Sequence, residues 1–122
     1  MKQVLKLPFR LESYNNYINM NRRNVYLANN YKRDVQKDII AYIKKCKLQK
    51  CTKSVKLNIL WIEKTKKRDV DNIQSGQKFI LDALVQAKIL ENDSPKYVTQ
   101  INHKIGYDSI NGDKIIVEIE EI

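Results

Sequence analysis

Two aspartates separated by one residue, Asp69 and Asp71, are the side chains of this chain best suited to chemistry. Residues i and i+2 of an extended backbone point to the same side, so the two carboxylates can converge on one cation. Hard cations such as Mg²⁺ take oxygen ligands, commonly one or two carboxylates with water and a substrate phosphate. The alternative is an ordinary surface turn in which an aspartate caps the next helix. Taken alone, the spacing favours that alternative.

The segment after these aspartates predicts a helix over about residues 71–87. If that helix is continuous at about 100° per residue, its polar side chains share one narrow wedge. These side chains are Asp71, Ser75, Lys78 and Asp82. A lysine between two aspartates can hold a phosphate or the negative charge that develops at a reacting phosphorus. The alternative is a solvated face with an ordinary i,i+4 Lys–Asp pair, and spacing alone does not decide between the two.

Asp93 is a third candidate, because it follows this helix and precedes the next predicted strand. If that strand pairs beside the strand that ends at Glu63, Asp93 can approach Asp69 and Asp71. Three acids at strand ends beside a helix are a common way for nucleases to hold a metal that activates water and neutralises the phosphate. Periodicity does not establish this convergence.

Hydrophobic periodicity predicts the elements that must position these residues. Alternation predicts strands over residues 3–9, 54–63, 97–105 and 113–121. An apolar stripe at helical spacing predicts a helix over 31–47, and the Asn- and Tyr-rich residues 10–30 are predicted to be a long loop or a loop with a short helix. The order strand, helix, strand, helix, strand, strand predicts an α+β (α/β-like) single domain over residues 1–122 with a mixed sheet.

The charge of the chain favours a polyanionic partner. Lys and Arg number 23 against 14 Asp and Glu, a net charge of +9, which favours nucleic acid ahead of acidic membrane surfaces.

The sequence has no apolar run long enough to predict a membrane span, and its first residues are too polar for a signal peptide. Cys46, Cys51 and His103 are too few for a four-ligand zinc site, so we expect free thiols, a cytoplasmic location and a core or edge histidine.

Basic residues flank the proposed site and would add affinity for phosphates without reading sequence. The predicted DNA contacts are Lys64, Lys66, Lys67, Arg68, Arg22 and Arg23. Tyr14, Tyr17 and Tyr26 are candidates for stacking on unpaired bases. The alternative for these tyrosines is packing of their segment onto the domain.

Three blocks in order resemble the signature of the RusA family of crossover junction endodeoxyribonucleases. They are Arg68-Asp69-Val70-Asp71-Asn72, Lys78-Phe79-Ile80-Leu81-Asp82-Ala83-Leu84 and Glu91-Asn92-Asp93-Ser94. The family pattern is Asp-x-Asp-Asn, a lysine on the next helix, Leu-Asp-x-Leu, and an acidic cluster that ends in Asp-Ser. The chain departs from it in two places: the step from Asn72 to Lys78 is longer than in the shortest family pattern, and Asn92 stands where an acid often precedes the last aspartate.

The resemblance implies an enzyme that nicks two opposed strands of a four-way DNA junction during recombination and repair. It also implies a gene of a kind that is frequent in phages and prophages. It implies that Asp69, Asp71 and Asp93 bind Mg²⁺, with Mn²⁺ also possible, and that Lys78 is needed for cleavage. Asn72 and Asp82 are expected to support them. A homodimer with one site per strand is implied, with no membrane partner and no small-molecule cofactor. The alternatives are a non-catalytic nucleic-acid-binding module and a nuclease that acts on flaps or forks.

Overall fold

The structure is a computed structural model that describes the backbone of residues 1–122 and every side chain except those of residues 14 and 15. Its elements, in chain order, are β1 (Lys2–Leu7), α1 (Tyr14–Arg23), α2 (Val25–Lys45), β2 (Val55–Glu63), α3 (Val70–Gln74), α4 (Gln77–Gln86), β3 (Val98–Tyr107) and β4 (Lys114–Glu121). The predicted α+β class is confirmed, and the four predicted strands are present.

The sheet is mixed, with the strand order β1-β4-β2-β3. β4 pairs antiparallel with both β1 and β2, whereas β3 pairs parallel with β2 after the α3–α4 crossover. Val55, Leu57, Ile59 and Trp61 of β2 are all at most 2% exposed, because alternate side chains of a strand point to one face. The sheet therefore has one face in the hydrophobic core, where residues of α2 and α4 also lie.

The prediction of a loop over residues 10–30 is wrong, because α1 and the first turns of α2 occupy most of that range. The Ser13 hydroxyl accepts a hydrogen bond from the Asn16 N–H at 3.0 Å and caps α1. Asn24 caps α2 in the same way, at 3.2 Å from the Leu27 N–H. Asparagine favours caps and turns, so an Asn-rich segment conceals two helices in the sequence.

The single helix predicted over residues 71–87 is also wrong, because a turn at Ser75 and Gly76 divides it into α3 and α4. The Gly76 N–H bonds the Ile73 carbonyl at 3.3 Å, which tightens the chain there. A Cβ at Gly76 would lie 3.2 Å from the Cβ of Leu11, so the glycine permits a close approach of the core to the backbone. The predicted wedge of polar residues is thus not one continuous helical face.

Cys46 and Cys51 are free, as predicted. Among the described residues, no helix has both the length and the apolar character that a membrane crossing requires.

Candidate active site

The ammonium of Lys78 lies between two carboxylates. Its Nζ is 2.8 Å from Asp82 Oδ1, one helical turn further along α4, and 3.8 Å from Asp93 Oδ2, in the segment before β3. The Lys78 side chain is 47% exposed, so these ion pairs add little to the stability of the fold. The arrangement orients a cation at the surface.

These three residues line an open hollow of about 530 Å³ together with Lys32 and Gln36 of α2. Asn92 shapes one side of it, because its Oδ1 accepts hydrogen bonds from the N–H groups of Asp93 at 2.6 Å and Ser94 at 3.1 Å. The residue at which the chain departs from the family pattern therefore holds the turn that carries Asp93.

Asp69 and Asp71 lie at the start of α3, and both are exposed. Asp69 has the N-cap position, but its side chain makes no capping hydrogen bond. Asp71 Oδ1 accepts the N–H of Asn72 at 3.0 Å. Asp69 therefore occupies the N-cap position that the alternative interpretation predicts, but its carboxylate does not make the capping hydrogen bond.

The parallel pairing of β2 and β3 that the sequence analysis required is present, with Val55 opposite Val98. Val98, five residues after Asp93, therefore lies beside the first residue of β2, whereas Asp69 lies six residues after Glu63, the last residue of that strand. Among the described residues, no three His, Cys, Asp or Glu side chains are grouped so that they could hold a metal ion. The structure brings together Lys78, Asp82 and Asp93. It does not gather Asp69, Asp71 and Asp93, and their role as metal ligands stays a prediction.

The guanidinium of Arg68 is held inside the protein. It donates to the two carboxylate oxygens of Glu63 at 2.8 and 2.9 Å and to the Leu11 carbonyl at 2.8 Å. These hydrogen bonds from Arg68 to Glu63 raise the pKa of Arg68 above its ordinary value. The structure thus gives Arg68 a bracing role beside Asp69, and its predicted DNA contact is untested. The signal in the sequence is Glu63, an acid at an inward-facing position of β2.

The other predicted DNA contacts are exposed: Lys64, Lys66 and Lys67 in the loop after β2, and Arg22 and Arg23 in the last turn of α1. Lys66 Nζ lies 5.0 Å from the centre of the Tyr107 ring, which holds this lysine against β3.

The candidate stacking tyrosines have different environments. Tyr17 packs edge-on against Phe79, with ring centres 5.6 Å apart, so the packing alternative is confirmed for it. Tyr26 is 73% exposed at the start of α2. The side chain of Tyr14 lies outside the described residues.

His103 is part of the support beneath α4, in agreement with the prediction of a core or edge histidine. Its Nδ1 accepts the indole N–H of Trp61 at 2.9 Å, and its Nε2 lies 3.0 Å from the Gln77 side-chain oxygen. Burial lowers the pKa of His103, so the ring is neutral with its proton on Nε2, toward Gln77. Gln77 directly precedes Lys78, and the sequence analysis did not single it out.

Comparison with protein families gives a match over nearly the whole chain. The profile of the family described as Endodeoxyribonuclease RusA matches residues 2–120, a range that includes all three signature blocks and every element of the fold except the last residue of β4. Comparison with curated proteins gives no significant match. On the extent of the family match, the chain belongs to the RusA family of endodeoxyribonucleases, which are hydrolases that resolve crossover junctions in DNA.

Proposed function

We propose that this protein resolves four-way DNA junctions by paired, Mg²⁺-dependent nicks in homologous recombination and repair. The observation that carries the proposal is the Lys78 ammonium, placed at the surface 2.8 Å from Asp82 and 3.8 Å from Asp93. All three residues match positions of the family signature.

Lys78 is proposed to stabilise the phosphate that is cut. An ammonium presents three N–H donors, and the two carboxylates fix where it lies. Negative charge develops on the phosphoryl oxygens in the transition state, and a cation already in place stabilises that charge without reorganising. Asp82, one turn along the same helix, is proposed to orient Lys78 rather than to contact DNA.

Endonucleases of this kind generally use divalent metal ions, and we propose Mg²⁺ here, with Mn²⁺ as a substitute. Asp69, Asp71 and Asp93 are the proposed ligands, with Asn72 in support. Their carboxylate oxygens are the donor type that Mg²⁺ prefers, and the side chain of Asp69 is not used for capping. When bound, the metal would lower the pKa of a water molecule and neutralise charge on the phosphate.

The remaining proposals concern assembly and DNA contact. Paired nicks in opposed strands need two active sites, so we propose a homodimer with one site in each protomer. Lys64, Lys66 and Lys67 precede Asp69 in the chain and are proposed to contact phosphates near the cut, with Arg22 and Arg23 as a second patch. We expect the protein to act on DNA in the cytoplasm.

The test is a panel of labelled substrates of equal arm length: a four-way junction, a fork, a flap and a linear duplex, each with Mg²⁺ or EDTA. The proposal expects symmetric nicks in the junction alone, absent in EDTA, whose products a ligase can seal. Faster cutting of the fork or the flap would identify that structure, and not the four-way junction, as the preferred substrate. Cutting of every substrate at the same rate would contradict structure selectivity.

A further inference from the structure

The exposed side of α2 carries a second surface, outside the site described above. There a groove of about 710 Å³ runs between α2 and the end of α4. We call it the basic groove, and its polar lining comprises Asn29, Lys32, Arg33, Gln36, Lys37, Lys44 and Gln86. None of the described residues that line it is acidic, so its lining carries four positive charges without an opposing one.

The two acidic residues of α2, Asp34 and Asp38, are exposed and do not line the basic groove. At about 100° per residue Asp38 lies about 100° from Lys37, whereas Asp34 lies about 60° from it and borders the groove. Among the described side chains, no ion pair uses Lys32, Lys37 or Lys44. The ammonium groups of these three lysines are therefore not held in ion pairs by the described residues.

The basic groove is continuous with the hollow around Lys78. Lys32, Gln36 and Gln86 line both of them. Gln36 also joins the two helices, because its side-chain N–H donates to the Phe79 carbonyl of α4 at 3.2 Å. Its Oε1 is buried and has no donor among the described residues, which leaves an acceptor unused where the groove and the hollow meet.

From these contacts we infer that the basic groove binds the sugar-phosphate backbone of a DNA duplex arm that leaves the Lys78 hollow. The inference rests on the proposed function and extends it to a surface that carries no signature residue. The groove residues from Asn29 to Lys44 cover 15 steps of a helix, about 22 Å, which equals the rise of six to seven base pairs. The groove is thus long enough to contact several successive phosphates.

The experiment measures the salt dependence of DNA binding in EDTA, where no metal-dependent cutting competes. Lys37→Gln/Lys44→Gln removes two charges from the groove. The matched control, Lys6→Gln/Lys104→Gln, removes two from the opposite face of the sheet, where both lysines are exposed. Each variant is tested on a four-way junction and on a linear duplex, and thermal unfolding verifies that it is folded.

Each lysine at a phosphate contributes about one to the magnitude of the slope of log K against log salt. The slope of the groove variant should therefore be smaller by about two on both substrates. Its affinity should fall by about tenfold at moderate salt, while the control variant keeps the wild-type slope. A groove variant with the wild-type slope overturns the inference, even if the wild type cuts junctions. A reduced slope together with no cutting by the wild type supports the groove and contradicts the proposed function. No DNA binding by the wild type overturns both.

Discussion

Arg68 and Glu63 form two parallel hydrogen bonds, 2.8 and 2.9 Å long, between the end of β2 and the residue before Asp69. The side chains are only 16% and 4% exposed, so each charge depends on the other for compensation. The third contact, to the Leu11 carbonyl, joins the segment after β1 to the same point. The pair thus closes the basic loop of residues 64–67 and fixes where the Asp69 segment begins.

Arg68→Met is therefore expected to lower the free energy of unfolding by about 3–5 kcal/mol, because it leaves the Glu63 carboxylate buried without a partner. Urea denaturation measures the change. Replacing both residues, as Glu63→Leu/Arg68→Met, should recover much of the loss, since no charge is then left unpaired. A double variant as unstable as Arg68→Met alone would contradict this account of the pair.

His103 is expected to make stability depend on pH near neutrality. Its pKa is lowered by burial in the folded state, so the folded protein binds the proton less readily than the unfolded chain. Its stabilising effect is complete above the ordinary value of 6.5 and is lost as the pH falls through the folded pKa. Protonation would also place a donor against the indole N–H of Trp61.

The measurement is urea denaturation between pH 7.5 and 5.5 for the wild type and His103→Gln. The chain has one histidine, so the variant should show a nearly flat profile over this range. Equal slopes for the two proteins would show that another group is responsible.

Lys78→Met is expected to slow single-turnover cleavage by about 10²–10³-fold, the usual cost of removing one group that stabilises transition-state charge. The cleavage rate is compared at saturating enzyme, and the affinity for the junction, measured separately, should change much less. Asp82→Asn should slow cleavage less, because it removes only the partner that orients Lys78. The control variant Lys104→Met, on the opposite face of the sheet, should cut at the wild-type rate. Loss of cleavage only in proportion to loss of binding would contradict the proposed role of Lys78.

Tyr26→Ala is expected to weaken binding to a four-way junction more than binding to a linear duplex. The ring is 73% exposed, and stacking on an unpaired base contributes about 1–3 kcal/mol. Tyr26→Phe keeps the ring and should bind as the wild type does. Equal affinity of Tyr26→Ala and the wild type for the junction would remove this residue from the DNA interface.

The strands were predictable because one face of the sheet is buried, so alternation in β2 and β4 reports directly on the fold. The helix break at Gly76 was not, because it follows from the approach of Leu11 and Trp61, which are distant in sequence. The helices over residues 14–30 were hidden because asparagine favours turns, whereas here Asn24 caps α2 and Asn16, Asn19 and Asn21 lie within α1.

The candidate site was likewise predictable from the sequence only in part. The Lys78–Asp82 contact lies within one helix and follows from i,i+4 spacing. The Lys78–Asp93 contact and the burial of Arg68 depend on how the sheet brings separate segments together, and no local pattern carries that information. The three-acid metal site was expected from the order of the strands and from the resemblance to the family, and it stays a prediction. The parallel register fixes Val98 opposite Val55, while Asp93, five residues earlier, contacts Lys78 near the start of α4.

The central claim is that Asp71 serves metal-dependent resolution of a four-way junction. The most direct measurement compares the wild type, Asp71→Asn and the surface control Asp38→Asn on a labelled junction, with Mg²⁺ and with EDTA. The account predicts paired symmetric nicks by the wild type and Asp38→Asn in Mg²⁺, and none by Asp71→Asn or by any protein in EDTA. Tight junction binding by the wild type without nicks in any divalent metal would contradict it, as would full activity of Asp71→Asn.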